Sequence, residues 1–548
     1  MIVHYWNTLR YLKFSQIVVR VGRKFRRVKI DLSPADVPRR HSGVWIEPAK
    51  RTQRITGEQS FCFLNKSNDL VSVDDWNNRD WSKLWLYNLH YFDDLTAIDA
   101  NQRVSWHQAL ICRWINENPS GEGNGWEPYP SSLRIVNWIK WVLTGNVLEE
   151  SWEHSLTVQV RYLSSNLETH LLGNHLFANA KALLFAGLFF EGAEAEHWYQ
   201  IGLKIVEREL PEQVLSDGGN FELSTMYHAI FLEDLLDLVN VHRVYGKKLP
   251  SGIEERILAM FNWLEVMCHP DGEISFFNDA AFGITPSIKE IQDYGARLSM
   301  LSSLMGESDK WEHQNSLVDL QESGYSRVVV GDAVALIDRA AIGPDYLPGH
   351  AHADTLSFEL SLFGQRVVVN SGTSVYGASL ERQRQRGTAA HATVVIDGED
   401  SSEVWGGFRV ARRARILNRK QSERDGVVKL SACHDGYKRL SGKPVHCREW
   451  LFEKGILIIH DKIGGKGIHK IMSVLPLHPD IKVVHTAENR IVLDVEGHEV
   501  MVAVEGEGIL EVVKGTYHPE FGLSVKNRKL VFRNSTTLPM EIMTRISW

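Results

Sequence analysis

The spacing of apolar residues divides the chain into a helical part and a strand-rich part. From about residue 104 to 310, apolar positions recur every three or four residues, and short links containing Gly or Pro separate the segments. This period predicts amphipathic helices, paired antiparallel in a toroid or solenoid. From about Gly324 onward the period is two, which predicts many short strands in an antiparallel sheet or sandwich.

The predicted elements have definite bounds. Seven helices are expected near Leu133–Leu143, Trp152–Glu168, His175–Phe190, Glu194–Glu209, Leu223–Val239, Glu254–Cys268 and Lys289–Leu304. Strands are expected at 325–330, 333–338, 355–363, 365–370, 393–397, 450–452, 456–459, 491–493, 501–504 and 530–532. We predict three regions: a basic amphipathic segment 1–40, a helical domain 41–315 and a β domain 316–548.

Length and composition agree with this division. The chain has 548 residues, too many for one core, with 43% apolar and 24% charged residues, as in ordinary globular proteins. No apolar run reaches the roughly 18 residues of a membrane span. The five cysteines are scattered and form no C-x-x-C pair, which argues against a disulfide framework or a thiolate zinc site and suits a reducing compartment.

The first 40 residues differ in charge from the rest of the chain. They hold ten Lys or Arg against Asp31 and Asp36, a net charge of +8, whereas the whole chain carries −7. Apolar residues alternate with these cations, so residues 1–30 are expected to contact an anionic membrane surface or, equally, the protein's own acidic body. No secretory signal pattern is visible. We expect a location in the cytoplasm or at the inner membrane, with the periplasm left open.

The segment Gly349–Asp354 concentrates titratable side chains. His350, His352 and Asp354 occupy every second position, and in an extended chain such residues share one face. The following residues alternate polar and apolar, so the three side chains are placed at the mouth of a strand. Hydrogen-bonded edge residues would explain one histidine, but the triplet predicts a metal or acid–base site.

Other polar stretches in the helical part accompany this triplet. Gly173 is expected to end one helix and Asn174 to cap the next, with His175 projecting from its first turn. An Asp217-Gly218-Gly219 turn leads into a helix on which Glu222 and Tyr227 lie within about one turn. Trp126, in a loop rich in Gly and Pro, is a candidate platform for a sugar ring.

Arginines cluster in the strand-rich part. Arg382, Arg384 and Arg386 stand a few residues before His391, which opens a strand. Guanidinium groups match carboxylates and sulfates, so these three are predicted to bind an anionic substrate, although a solvated charged loop would look the same. Nucleic acid is a poor substrate candidate because the basic residues are local and no binding motif is present.

Taken in order, these motifs resemble one family. Gly173-Asn174-His175, Asp217-Gly218-Gly219 through Tyr227-His228, Gly349–Asp354 and Ala390-His391-Ala392-Thr393 are similar to the heparinase II/III family of polysaccharide lyases, over roughly residues 80–470. The resemblance implies an incomplete (α/α) toroid followed by an antiparallel β-sandwich. It also implies cleavage of a uronic-acid polysaccharide by β-elimination.

The same resemblance implies roles for individual residues. Asn174 and His350 would hold the uronate carboxylate. His175 or Tyr227 would take the C5 proton, and Tyr227 would protonate the leaving oxygen. We also predict that Glu222, Trp126 and the three arginines contact the acidic chain.

A divalent metal, zinc or calcium, is also implied in the sandwich. The matching positions are His352, Asn370 and His391, and Asn370 stands where the family usually has Asp. Loss of one anionic ligand should weaken the site, so its role is expected to be structural.

Two other functions remain open. A glycoside hydrolase would need two carboxylates, for which Asp217, Glu222 and Glu233 are available. A non-catalytic glycan-binding or assembly protein would keep the scaffold without the chemistry. The absence of an export signal favours a lyase in the synthesis or processing of a surface polysaccharide or exopolysaccharide. The sequence makes no prediction of oligomeric state.

Overall fold

A computed structural model describes residues 2–23, 25, 28–301 and 316–548. Nearly all helices precede residue 301 and nearly all strands follow residue 316. The α-helices are α1 (Ile2–Leu9), α2 (Phe14–Arg23), α3 (Lys83–Tyr91), α4 (Val104–Glu117), α5 (Pro128–Leu143), α6 (Glu150–Ser164), α7 (Gly173–Phe189), α8 (Ala193–Gln213), α9 (Thr225–Val244), α10 (Ile253–Val266), α11 (Ile288–Arg297) and α12 (Leu380–Arg386).

The strands begin with a small hairpin in the helical part and then fill the second part. They are β1 (Ser60–Phe63), β2 (Lys66–Asp69), β3 (Ser316–Leu320), β4 (Tyr325–Val330), β5 (Ala333–Asp338), β6 (Phe358–Leu362), β7 (Gln365–Val368), β8 (Val394–Ile396), β9 (Val404–Trp405), β10 (Arg409–Val410), β11 (Ile416–Arg424), β12 (Val427–His434), β13 (Val445–Glu453), β14 (Ile456–Gly464), β15 (Ile468–Pro476), β16 (Lys482–Ala487), β17 (Arg490–Val495), β18 (His498–Glu505), β19 (Ile509–Tyr517), β20 (Val525–Thr537) and β21 (Met540–Ser547).

The predicted change from helices to antiparallel strands is confirmed. Six of the seven predicted helices correspond to α5–α10, with ends shifted by a few residues. The seventh begins as α11 but stops at Arg297, and its predicted end at Leu304 lies outside the described residues. The predicted domain boundary at 315/316 falls between that undescribed segment, 302–315, and the start of β3.

Helix α7 lies at the centre of the helical part. Every residue from Leu176 to Phe189 is buried, because α5, α8 and α9 all pack around it. The contact with α8 is close enough to require glycine. A Cβ atom on Gly187 would lie 2.7 Å from the carbonyl oxygen of Ala195. This buried helix holds the polar residues of its first turn in one position.

In the described residues, the strand-rich part consists of three larger antiparallel sheets and the two-stranded hairpin β9-β10. The first has the order β3-β4-β5-β6-β7, the second β11-β12-β13-β14-β21-β18-β17-β16 and the third β19-β20-β15-β8. Burial alternates strictly along β13, as expected for a strand with one face in the core. One apolar core, with Trp450 fully buried, joins residues from all three sheets.

One expectation about the cysteines is wrong. Cys433 and Cys447 lie opposite each other on β12 and β13 and form a disulfide. Their separation of 14 residues carries no recognisable motif. The pairing follows from strand register, which cysteine spacing alone does not reveal.

The segment with the two histidines is a loop, not the extended start of a strand. Strand β6 begins at Phe358, so residues 349–357 are irregular. His350 and His352 nevertheless converge on one carboxylate, that of Asp279. Asp354 turns elsewhere and accepts a hydrogen bond from the backbone N–H of Asn278, 3.1 Å away.

Among the described residues, no helix combines the length and the apolar content that a membrane span requires.

Candidate active site

A large cavity lies where the helical and strand-rich parts meet. Its volume is about 900 Å³. Both parts line its walls with aromatic and polar side chains, a composition typical of ligand sites. The lining residues include Tyr87, Tyr91, Tyr129, Asn174, His175 and Tyr227 from the helical part and His350, Tyr376 and Phe408 from the strand-rich part. All four predicted catalytic residues therefore share one cavity.

Tyr227 sits at the start of α9. The hydroxyl of Ser224 caps this helix by accepting the Tyr227 N–H, which positions the phenol in the first turn. The phenol ring stacks on His350 with ring centres 3.8 Å apart, and its oxygen lies 3.0 Å from that of Tyr376. Burial, with Tyr376 and Asp279 adding to it, raises the pKa of Tyr227 well above its usual value. Tyr227 is therefore a protonated phenol at neutral pH.

His350 is held between two carboxylates. Its Nδ1 lies 2.9 Å from Asp279 Oδ2, and its Nε2 lies 3.5 Å from Glu222 Oε2. Because the Asp279 carboxylate accepts a hydrogen bond from Nδ1–H, Nε2 is the nitrogen that remains for other partners. The contact with Asp279 therefore assigns a proton to Nδ1 of His350.

Asp279 is the buried centre of this arrangement. It also contacts His352 Nε2 at 2.8 Å and both terminal nitrogens of Arg382, one of them at 2.6 Å. Burial alone would raise the pKa of the Asp279 carboxyl. The Arg382 guanidinium and the hydrogen bonds from the two histidines outweigh burial, so its pKa falls well below the usual range. A permanently ionised carboxylate therefore orients two imidazoles.

Asn174 and His175 project from the first turn of α7. The predicted cap is wrong: Leu172, with a φ of 65°, precedes the helix, and Asn174 lies inside it. The Asn174 side chain therefore lines the cavity instead of serving the helix end. The Asn174 amide group is therefore available to bind a substrate in the cavity.

His175 has its own carboxylate partner. Its Nδ1 lies 3.1 Å from Glu168 Oε1, and its ring lies against Tyr129 with centres 4.5 Å apart. Burial opposes the charged imidazole, but the Glu168 carboxylate outweighs burial and raises the pKa of His175. Glu168 also orients the ring so that Nε2 is available to accept a proton.

Glu222 lies just outside the residues that line the cavity. It is buried, its Oε1 accepts the backbone N–H of Asn174 at 3.4 Å, and its Oε2 approaches His350. Burial raises the pKa of this carboxyl. Its contacts connect Asn174 with His350, so we assign it a positioning role in place of the predicted contact with substrate.

The three arginines predicted to bind substrate do not line the cavity. Arg382 is fully buried against Asp279, and Arg386 is fully buried and donates to the carbonyl of Ala351. Arg384 is exposed, but its guanidinium contacts Glu381 and Thr516. The prediction is corrected because Arg382 and Arg386 are buried in protein contacts, and Arg384 is paired with Glu381 outside the residues that line the cavity.

Trp126 is also misassigned. It is 3% exposed and packs against Trp114 and Tyr162 in the helical core. Its indole N–H donates to the carbonyl of Asn118. The ring is therefore a core residue without a face for a sugar.

Other cations line the cavity. These are Lys50, Arg51, Arg54, Lys66, Lys83, Lys140 and Lys181. Several are matched by acids: Arg51 pairs with Glu233 at 2.5 Å, and Lys181 pairs with Asp234 at 2.7 Å. None of the sequence motifs described above indicated these cations. The one available signal was the four-residue spacing of Lys83, Tyr87 and Tyr91, which places them on one face of α3.

The predicted metal residues come together only in part. His352 Nδ1 and His391 Nε2 lie 3.3 Å apart, and the amide oxygen of Asn370 accepts the backbone N–H of Ala392. The buried Nδ1 of His391 and Nδ2 of Asn370 have no partner among the described residues. Within that same part of the chain, no group of three or more His, Cys, Asp or Glu is placed to hold a metal. Two imidazoles and an amide form a weak donor set without thiolate or carboxylate.

Comparison with known proteins agrees with the fold. Residues 113–296 match the heparinase II/III N-terminus model, and residues 312–548 match the heparinase II/III-like C-terminal model. A heparin-sulfate lyase from Bacteroides stercoris is 23% identical over 389 residues, covering 66% of this chain and 54% of its own length. One from Bacteroides thetaiotaomicron is 30% identical over 209 residues, covering 33% of this chain and 29% of its own.

Solved structures show the same architecture. A crystal structure of heparinase III superposes with a TM-score of 0.70 at 18% identity, covering 86% of this chain and 78% of that one. A chondroitin AC lyase from Streptomyces coelicolor superposes with a TM-score of 0.52 at 9% identity, covering 85% of this chain and 74% of that one. The predicted fold, an incomplete (α/α) toroid followed by an antiparallel β-sandwich, is confirmed.

Fold and cavity together define a toroid-and-sandwich protein with a site shared by its two parts. The chain belongs to the heparinase II/III-like family. It spans about half the length of the Bacteroides stercoris relative.

Proposed function

We propose that this protein is a polysaccharide lyase that cleaves a uronic-acid polysaccharide by β-elimination. The observation that carries the proposal is the stacked pair of Tyr227 and His350 in a cavity that also contains Asn174 and His175. An amide, two imidazoles and a phenol are the groups that this elimination needs. The names of the relatives, heparin-sulfate lyases, support the same reaction class.

The reaction has three requirements. The uronate carboxylate must be neutralised so that the C5 proton becomes acidic, and we assign this to Asn174 and His350. A base then takes the C5 proton, the C4–C5 double bond forms and the C4–O4 bond breaks. An acid finally gives a proton to the departing O4 oxygen. No water is consumed in this reaction.

The electrostatics of the site distribute the acid and base roles. Tyr227, with its raised pKa, keeps its proton at neutral pH and is the acid for O4. His175, oriented by Glu168, is the base for C5–H. Tyr376 lies within hydrogen-bond distance of the Tyr227 oxygen and can return its proton between turnovers. In a substrate of the other C5 epimer, Tyr227 would be the alternative base.

The hydrolase alternative has less support. Glu233 faces the cavity but is paired with Arg51, and Asp217 accepts hydrogen bonds from Ser323 and does not line the cavity. Of these three candidate carboxylates, only Glu222 approaches a predicted catalytic residue, His350. A hydrolase needs two carboxylates flanking the bond that it breaks. The placement of these carboxylates therefore favours elimination over hydrolysis.

A divalent metal is kept as a proposal. Zinc or calcium would be held by His352 and His391 with Asn370, and Asp279 would orient His352 from the other side. Its contribution would be to stabilise the sandwich side of the cavity. None of the assigned proton transfers depends on it.

An absorbance assay tests the proposal directly. The purified protein is incubated with a panel of uronate polysaccharides that includes the host's own surface polysaccharides and exopolysaccharides. Elimination creates a C4–C5 double bond conjugated to the carboxylate, so the product absorbs in the ultraviolet, and reducing ends appear in equal amount. Reducing ends without absorbance would establish hydrolysis. Neither signal, together with substrate binding, would establish a glycan-binding protein.

A further inference from the structure

Helices α1 and α2 lie on the protein with their polar faces inward. In α2, Gln16 is 2% exposed and its amide donates to the carbonyl oxygen of Tyr346. In α1, Asn7 is buried, and Thr8 accepts a hydrogen bond from the Trp405 indole at 3.1 Å. A surface helix normally buries its apolar face, so this arrangement is inverted.

The apolar face of α2 is turned to solvent. Phe14, Ile17, Val18 and Val21 follow the spacing of one helical face and are 80%, 40%, 50% and 53% exposed. Gln16, the buried residue of this helix, lies on the opposite face. Such a continuous apolar stripe in water marks an interaction surface.

Helix α1 repeats the arrangement. Its outward face carries Ile2, Trp6 and Leu9, again at the spacing of one helical face, and they are 85%, 69% and 48% exposed. An exposed tryptophan is typical of residues that lie at the boundary between lipid headgroups and acyl chains. The two short helices therefore present similar outward faces.

The charge around these faces identifies the partner. Arg10 and Arg20 are exposed and form no ion pair within the described residues. Residues 1–40 carry a net +8 in a chain whose total is −7. Two copies meeting through this face would bring like charges together, whereas an anionic lipid surface supplies both apolar contact and opposite charge.

We propose that α1 and α2 form an interfacial anchor that binds the surface of a bilayer containing anionic lipid. Hydrogen bonds connect this anchor to two segments that carry cavity residues. Thr8 accepts a hydrogen bond from the Trp405 indole of the β9–β10 hairpin, and the turn of this hairpin carries the cavity residue Phe408. Tyr346, which holds Gln16, stands four residues before His350. Binding would therefore hold the cavity close to the membrane, where a polysaccharide is assembled or exported.

Vesicle co-sedimentation of the full chain tests the anchor. We expect binding to phosphatidylcholine vesicles that contain about 30% phosphatidylglycerol, and at least about tenfold weaker binding to phosphatidylcholine alone. Raising the salt from about 0.1 to 0.5 M should weaken the binding, because exposed charges are then screened. Equal binding to both vesicle types, or no binding, would overturn the proposal.

Two double variants locate the effect. Phe14→Glu with Val18→Glu should reduce vesicle binding at least about tenfold, since it places charges in the apolar stripe. The matched control is Ile468→Glu with Ile509→Glu, at positions 74% and 66% exposed on the sandwich, which should bind as the unmodified protein does. Vesicle binding by the Phe14→Glu, Val18→Glu variant that equals that of the unmodified protein would overturn the anchor. So would light scattering that finds the unmodified protein as a dimer and this variant as a monomer.

The anchor and the lyase function are tested separately. Both double variants should release ultraviolet-absorbing product from a soluble polysaccharide at the same rate as the unmodified chain, because neither alters the cavity. A chain that binds vesicles but never forms that product would refute the lyase alone. A chain that forms product but ignores vesicles would refute the anchor alone.

Discussion

Tyr227 and His350, 123 positions apart in the sequence, stack face to face with ring centres 3.8 Å apart. One comes from the helical toroid and the other from the loop before the sandwich strand β6. The site therefore exists only when the two parts are docked.

Removal of the Tyr227 hydroxyl should stop turnover. In Tyr227→Phe the leaving oxygen has no proton donor, so kcat should fall by about 10²–10⁴-fold, while substrate affinity and Tm stay nearly unchanged. Ultraviolet assays and calorimetric binding measure both. Tyr376→Phe is the matched control, because it removes the neighbouring hydroxyl and should cost less than about tenfold. Full activity in Tyr227→Phe would remove the assigned acid.

The pH dependence of kcat/KM should reflect the protonation of His175. Its raised pKa means that the neutral, proton-accepting form is populated only above that pKa, so kcat/KM should rise with pH through it. In Glu168→Gln the imidazolium loses its carboxylate partner, its pKa falls and the rising limb should move to lower pH. A limb that stays in place in this variant would assign the base to another group, with Tyr227 as the alternative.

The corrected roles of the arginines can be separated by stability. Arg382→Met leaves the buried Asp279 carboxylate without its guanidinium, which should cost about 3–5 kcal/mol in the free energy of unfolding. Arg384→Met, at an exposed position, should change stability by no more than about 0.5 kcal/mol. Denaturant unfolding measures both. An Arg382→Met protein of normal stability but raised KM would restore the substrate-binding role.

A divalent metal at His352 and His391 should be visible in both composition and stability. Elemental analysis of the purified protein should find zinc or calcium, and a chelator should lower Tm. In His352→Ala the metal content and the response to chelator should both be lost. The control is His269→Ala, which removes another buried histidine, one that is paired with Glu359. This variant should lose stability but keep the response to chelator. A protein that contains no metal and whose Tm does not change with chelator would show that His352 and His391 are hydrogen-bonded directly to each other.

The sequence by itself determined the elements and their order. Helical and strand periodicity is a local property, so α5–α10 and ten of the 21 strands in the described residues could be located without coordinates. The candidates Asn174, His175, Tyr227 and His350 were also accessible, because each stands in a short motif of unusual polarity. That these motifs share one cavity was an inference that the structure supports.

Only the tertiary structure decided which charged and aromatic groups face that cavity. Arg382 and Trp126 have ordinary surroundings in the sequence, yet folding buries both, one on Asp279 and one in the helical core. The Cys433–Cys447 pair likewise depends on strand register. The physical reason is common to all: burial and pairing depend on contacts between distant segments, and no local pattern encodes the partner.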